Sequence, residues 1–184
     1  MLRRVSSGDR GALGEIYTQL YPELKRAARS RLRHQGRADS LGTTTLLHES
    51  FLRLLKARDL RLEDRRHFFA YAARAMRNII IDSARELLAE RRGGGAEHET
   101  LGAVAEIRAA TTTSEELIAV GDALKKMEAV DPELAEQVEM IYFGGYTESE
   151  VADLHGISER TVRRRWQKAR VWLFTALDTG ASPG

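Results

Sequence analysis

From Ser158 to Lys168 the chain reads Ser-Glu-Arg-Thr-Val-Arg-Arg-Arg-Trp-Gln-Lys, a run dense in cationic and hydrogen-bond-donating side chains. At 3.6 residues per turn, Arg160, Arg164 and Gln167 share one helix face, flanked by Arg163 and Lys168. Val162, Trp166, Ala169 and Leu173 lie within about 40° of one line on the other side. Guanidinium and amide groups on such a face donate to guanine and adenine edges or to phosphates. At the start of the run, Ser158 suits a phosphate oxygen and Glu159 the amino group of a cytosine. A second set lies between about His67 and Leu88. With Met76 as the centre, Phe69, Ala72, Ile80, Ser83 and Leu87 fall within about 40° of it. The opposite face carries Tyr71, Arg74, Asn78, Ile81, Asp82 and Arg85. An aromatic ring among arginines and an asparagine suits nucleic acid, and it equally suits a solvated face with one tyrosine.

Other reactive side chains lead nowhere. His48-Glu49 opens like the helix of a zinc protease, but Leu52 stands where the second histidine is required. The remaining histidines are isolated, and His155, next to Gly156, is expected at the surface. With no cysteine, the chain has neither a thiolate metal site nor a Cys nucleophile. Gly93 to Gly95 follow no hydrophobic strand, so they are not a phosphate-cradling loop. No Walker motif or nucleophile elbow is present. The expectation is a protein that is not an enzyme, with no cofactor, no metal and no small-molecule substrate.

The elements that hold these faces are helices. Within 184 residues, 42% are apolar and only three are proline, while Ala, Leu, Arg and Glu abound. In the first block, Leu13, Ile16, Tyr17, Leu20 and Leu24 mark one amphipathic stretch, with Pro22 as a point of bending or division. Leu46, Leu47, Phe51, Leu54 and Leu55 mark another, with Thr43 to Thr45 as capping candidates. In the second block, Thr113-Ser-Glu-Glu116 and Thr147-Glu-Ser-Glu150 read as capping boxes, and Asp131-Pro132 as a cap with proline at the first helical position. Ser158 caps a last helix reaching about Leu177. Between the blocks, residues 93–112 read as a flexible linker with a short helix around 101–109. The fold class is all-α: two small helical domains, 1–92 and 113–180, joined by that linker.

The net charge of +2 conceals a segregation. Residues 1–92 hold 20 Lys/Arg against 11 Asp/Glu, giving +9; residues 93–157 hold 3 against 14, giving −11; residues 158–184 hold 6 against 2, giving +4. Two basic blocks flank an acidic one. An anionic partner for the ends and a bland solvated surface account for this equally. In a free chain, the acidic block is also placed to shield basic surface by packing against it. No apolar stretch approaches the roughly 20 residues of a membrane span, and the N-terminus lacks the apolar core of a signal peptide. A cytoplasmic protein without a membrane partner is expected.

The segment Thr147 to Trp166 meets the demands of a helix-turn-helix in order. Val151, Ala152 and Leu154 face the core, Gly156 makes the turn, Ile157 plugs the corner and Ser158 caps the second helix. Turn, plug, cap and basic face together favour DNA binding over an arginine-rich surface helix. Residues 134–177, through Tyr142-Phe-Gly-Gly-Tyr-Thr-Glu and Trp172-Leu-Phe, resemble region 4 of the extracytoplasmic-function (ECF) sigma factors of the sigma-70 family, which recognises the −35 promoter element. Phe68 to Arg85 resembles the promoter-melting and −10-recognition helix of region 2. Arg77-Asn78 and Asp82 stand at the spacing of the family's Arg-Asn and Asp. Leu46-Leu-His-Glu-Ser-Phe-Leu-Arg-Leu54 resembles the helix that docks on the clamp of RNA polymerase. Two departures are visible. Thr44-Thr45 replace an acidic pair, and Tyr71 replaces the usual tryptophan. The Leu-His-Glu form and Arg66-His-Phe-Phe69 look like the divergent ECF-like subgroup.

The resemblance implies a set of site residues. Ser158, Glu159, Arg160, Arg163, Arg164, Gln167 and Lys168 would serve the −35 element. Tyr71, Arg74, Arg77, Asn78 and Arg85 would serve the −10 element and melting, and His48, Glu49 and Arg53 the polymerase. The implied partners are core RNA polymerase and promoter DNA, with an anti-sigma factor left open. A conventional helix-turn-helix regulator and a non-DNA helical adaptor are the alternatives. The regulator lacks a ligand-binding, receiver or dimerisation element in residues 1–92. The adaptor leaves the charge segregation unexplained.

Overall fold

The computed structural model describes residues 10–34, 42–56, 64–93 and 113–180. Among them are seven helices: α1 (Arg10–His34), α2 (Thr43–Lys56), α3 (Arg65–Gly93), α4 (Ser114–Val130), α5 (Pro132–Tyr142), α6 (Glu148–His155) and α7 (Glu159–Gly180). The described residues contain no strand, so the chain is all-α. No described helix is long and apolar enough to cross a membrane. The linker expected over 93–112, with its short helix, lies outside the described residues except for Gly93, which still belongs to α3.

Local chemistry accounts for the helix ends. Thr113 and Thr147 form the two capping boxes, each hydroxyl accepting from the backbone N–H of the glutamate three residues on, at 3.1 and 3.2 Å. Asp131 accepts from Leu134 N–H at 3.1 Å, with Pro132 at the first position of α5. Two details differ from the sequence reading. Pro22 lies inside α1 without ending it. The helix loses one hydrogen bond there, while Leu13, Ile16, Leu20 and Leu24 stay buried in one core on both sides of it. At α2 the Thr43 to Thr45 cluster is already helical, and Gly42 is the residue whose carbonyl accepts from Leu46 N–H, at 2.9 Å.

α3 is the axis of the molecule. One side packs on α2, which in turn packs on α1; the other meets α4, α5 and the end of α6. Phe68, Phe69, Met76 and Ile80 are fully buried, each contributing about 1.5–3 kcal/mol relative to exposure. Leu117, Leu124, Val138 and Phe143 continue the same core into the second group of helices. Close approach of α3 and α4 depends on Gly121: a Cβ there would stand 2.1 Å from Ile81 Cδ1. Tyr146 lies on Phe69 edge-to-face, with centroids 5.4 Å apart.

Candidate nucleic-acid interface

The turn between α6 and α7 is built on glycine geometry. Gly156 has φ 64° and ψ 33°, the left-handed region that a residue with a Cβ enters at a penalty. Ile157 N–H donates to Ala152 O at 3.0 Å, closing the end of α6. Ser158 Oγ accepts from Thr161 N–H at 3.2 Å and starts α7. Val151 and Ala152 of α6 and Val162, Ala169 and Leu173 of α7 are buried. Leu154, Ile157 and Trp166 are half-buried rather than enclosed.

The exposed row of α7 divides in two. Arg160, Arg164 and Gln167 are exposed and make no hydrogen bond or ion pair among the described residues. Arg163 donates from Nε to Glu148 on α6 at 3.0 Å, and lies 3.8 Å from Glu159. Lys168 reaches Asp131, the cap of α5, at 3.1 Å. Arg165, not singled out from the sequence, lies 3.4 Å from Glu133. The backbone N–H of Leu134 and then Lys168 hold the Asp131 carboxyl below its ordinary range. The buried Val162, Ala169 and Leu173 set the roll of α7, the exposed ion pairs adding little, and the Arg160–Arg164–Gln167 row is left without a protein partner among the described residues. Ser158 and Glu159 are exposed at its start.

The residues singled out on α3 are differently placed. Their face meets α4 and α5, where Arg77 is buried while Arg74 and Arg85 stay 44% and 48% exposed. Arg77 is buried and pairs with Glu139, whose side chain is 2% exposed. Arg74 bridges Glu128 at 2.7 Å and Glu139 at 3.4 Å. Asn78 Oδ1 accepts from Arg77 Nε at 3.4 Å. Arg85 lies 3.7 Å from Asp82 and 3.8 Å from Asp122. Tyr71 is half-buried. Burial pushes the Glu139 carboxyl up, against the pull of Arg77 and Arg74.

On α2, His48 and Glu49 are exposed side by side. Arg53 is turned inward to Asp82 of α3, at 2.8 Å. His155 corrects an expectation. It is not a surface residue: its side chain is 3% exposed, 3.4 Å from Glu136, which accepts from Arg66 Nε at 2.7 Å. The end of α6 packs on α5 and α3, which closes over the ring. Burial, then Arg66, lowers the His155 pKa despite Glu136.

Sequence reading passed over Glu128, Glu136, Glu139, Gly121 and Tyr146, which make the contacts between the two helix groups. The signal available was the charge of the acidic block, which did not say which carboxylates face α3.

An all-α chain with a capped helix-turn-helix and an unpaired basic row belongs to the class of helical DNA-binding proteins. The ECF sigma factor family model matches residues 1–179, and the chain belongs to that family. It is a family of non-enzymatic transcription factors whose partners are RNA polymerase and promoter DNA. No curated protein and no solved structure matches the chain significantly.

Proposed function

We propose that this sigma factor binds core RNA polymerase through α2 and directs initiation by reading two promoter elements in the cytoplasm. α7 reads the −35 element from the major groove, with Arg160, Arg164 and Gln167 as base readers. Ser158, Arg163 and Lys168 serve the phosphates, and Glu159 a cytosine. α3 serves the −10 element and strand opening through Tyr71, Arg74, Arg77, Asn78 and Arg85. His48, Glu49 and Arg53 contact the polymerase. Residues 1–92 and 113–180 act as two domains, and 93–112 as the tether between them.

The observation that carries this reading is the exposed Arg160–Arg164–Gln167 row, unpaired among the described residues, on a helix held by its buried Val162, Ala169 and Leu173. Arginines left without carboxylate partners, where most other cations among the described residues have one, retain their full hydrogen-bonding capacity for an outside acceptor. The polymerase contact is tested by co-purification with core enzyme. Glu49→Lys combined with Arg53→Glu should abolish holoenzyme assembly while the chain keeps its helicity. Unchanged co-purification would remove α2 from the account.

A further inference from the structure

We propose that the cavity between α1, the start of α3 and α6 is a binding site for a small aliphatic amine, recognised by the Asp153 carboxylate and the Tyr146 hydroxyl.

The cavity encloses about 390 Å³, within the range of small-ligand sites. Arg26 of α1, Phe69 of α3, Tyr146 just before α6, and Asp153 and Leu154 of α6 are among the residues that line it.

The first observation is a hydroxyl without a partner. Tyr146 is 5% exposed, and its ring is held edge-to-face on Phe69. Its oxygen makes no hydrogen bond among the described residues. The charges that act on this hydroxyl are Glu150, Glu23 and Arg26, and all three line the same cavity, so the group faces into it. Burial, then Glu150 and Glu23, pushes the phenol up and keeps it protonated, able both to donate and to accept. A buried phenol has given up its hydrogen bonds to water, and only a group that enters the cavity offsets that loss.

The second observation is the charge around it. Three arginines and four carboxylates line the cavity, a net of −1. The arginines are all engaged: Arg65 meets Glu23 at 2.8 Å, Arg26 pairs with Glu150, and Arg66 reaches Glu136 at 2.7 Å. Asp64 is taken by His67 at 2.9 Å. Asp153 remains, exposed and without a hydrogen bond or ion pair among the described residues. An anion entering here would have to displace Glu23 or Glu150 from an arginine, whereas a cation finds Asp153 free.

The form of the cation follows from the same residues. No His, Asp and Glu side chains among the described residues group as metal ligands, so the cation is organic. A primary ammonium carries three N–H donors on one charge, as a lysine does, enough for Asp153 and the Tyr146 oxygen together. A short alkyl stem would lie along Leu154 and Phe69.

Isothermal titration of the full-length chain with putrescine, at fixed salt, tests the site. Saturable one-to-one binding is expected. Tyr146→Phe keeps the ring on Phe69 and should weaken binding by about tenfold. Asp153→Asn, at an exposed position, should weaken it by about tenfold or more and keeps the test decisive if loss of the hydroxyl disturbs the packing. Glu115→Gln, which removes a charge from an exposed position of α4 outside the cavity lining, should change nothing. Butanediol, of the same chain length but neutral, should give no saturable heat. Helicity followed in parallel shows that each variant is folded. No saturable binding of putrescine would overturn the proposal by showing that water alone answers the hydroxyl. Putrescine binding unchanged by either substitution would place the amine elsewhere and overturn the site. Binding of glutarate in place of putrescine would overturn the choice of a cation.

Discussion

Single side chains on α7 differ in what they are free to do. Arg160 and Arg164 make no ion pair among the described residues, although Arg164 borders the same hollow as Asp131 and Glu133, whereas Arg163 and Lys168 pair with Glu148 and Asp131. In a selection from random duplexes, Arg160→Ala or Arg164→Ala should lose about 1–3 kcal/mol and relax preference at one position. Arg163→Ala should weaken all sequences alike and reduce the salt slope by about one. His155 gives a pH dependence. Its environment includes Glu136, Arg66, Arg165 and Glu133. Because its pKa is lowered on folding, the unfolded chain binds the extra proton first. Stability should be complete above the ordinary histidine value of about 6.5 and decline as pH falls through it toward the folded value. His155→Phe should flatten that part of the stability–pH curve measured by denaturant unfolding, and an unaltered slope would show that another group is responsible.

At the scale of elements, the starts of α4 to α7 were legible because capping is local, whereas at α2 the threonines expected to cap are already helical. Thr113 with Glu116, Thr147 with Glu150, Asp131 before Pro132 and Ser158 all act as the sequence pattern implies. Gly156 was legible for the same reason. An alanine Cβ there meets nothing within 4 Å, so Gly156→Ala should cost only the left-handed backbone penalty of about 1–2 kcal/mol, measured by urea unfolding. Trp166 shows where periodicity misleads. Its register with Val162 and Ala169 is correct, yet it is half-buried beside Val120, Tyr142 and Phe174 instead of closed in the core. Trp166→Ala should therefore destabilise by less than the 3–5 kcal/mol of an enclosed tryptophan. The two faces of α3 show the larger gap. The apolar face centred on Met76 is buried as its pattern implies, but so are Arg77 and Ile81 on other sides. An isolated helix pattern cannot show a second partner whose matching surface is made of carboxylates from residues about 40 to 70 positions away.

For the whole molecule, the charge segregation acquires a structural meaning. The basic first block and the acidic middle block face each other across α3, while the basic end of the chain points its unpaired arginines outward. On the proposed function, two groups of helices packed in one body would serve two DNA elements by coming apart. If this chain makes core polymerase start transcription at defined sites, run-off transcription with core polymerase on genomic DNA fragments should give discrete transcripts. These should require the chain and disappear with the Glu49→Lys/Arg53→Glu variant. Duplex binding by the chain alone, with no transcript from any fragment when core polymerase is added, would contradict that expectation.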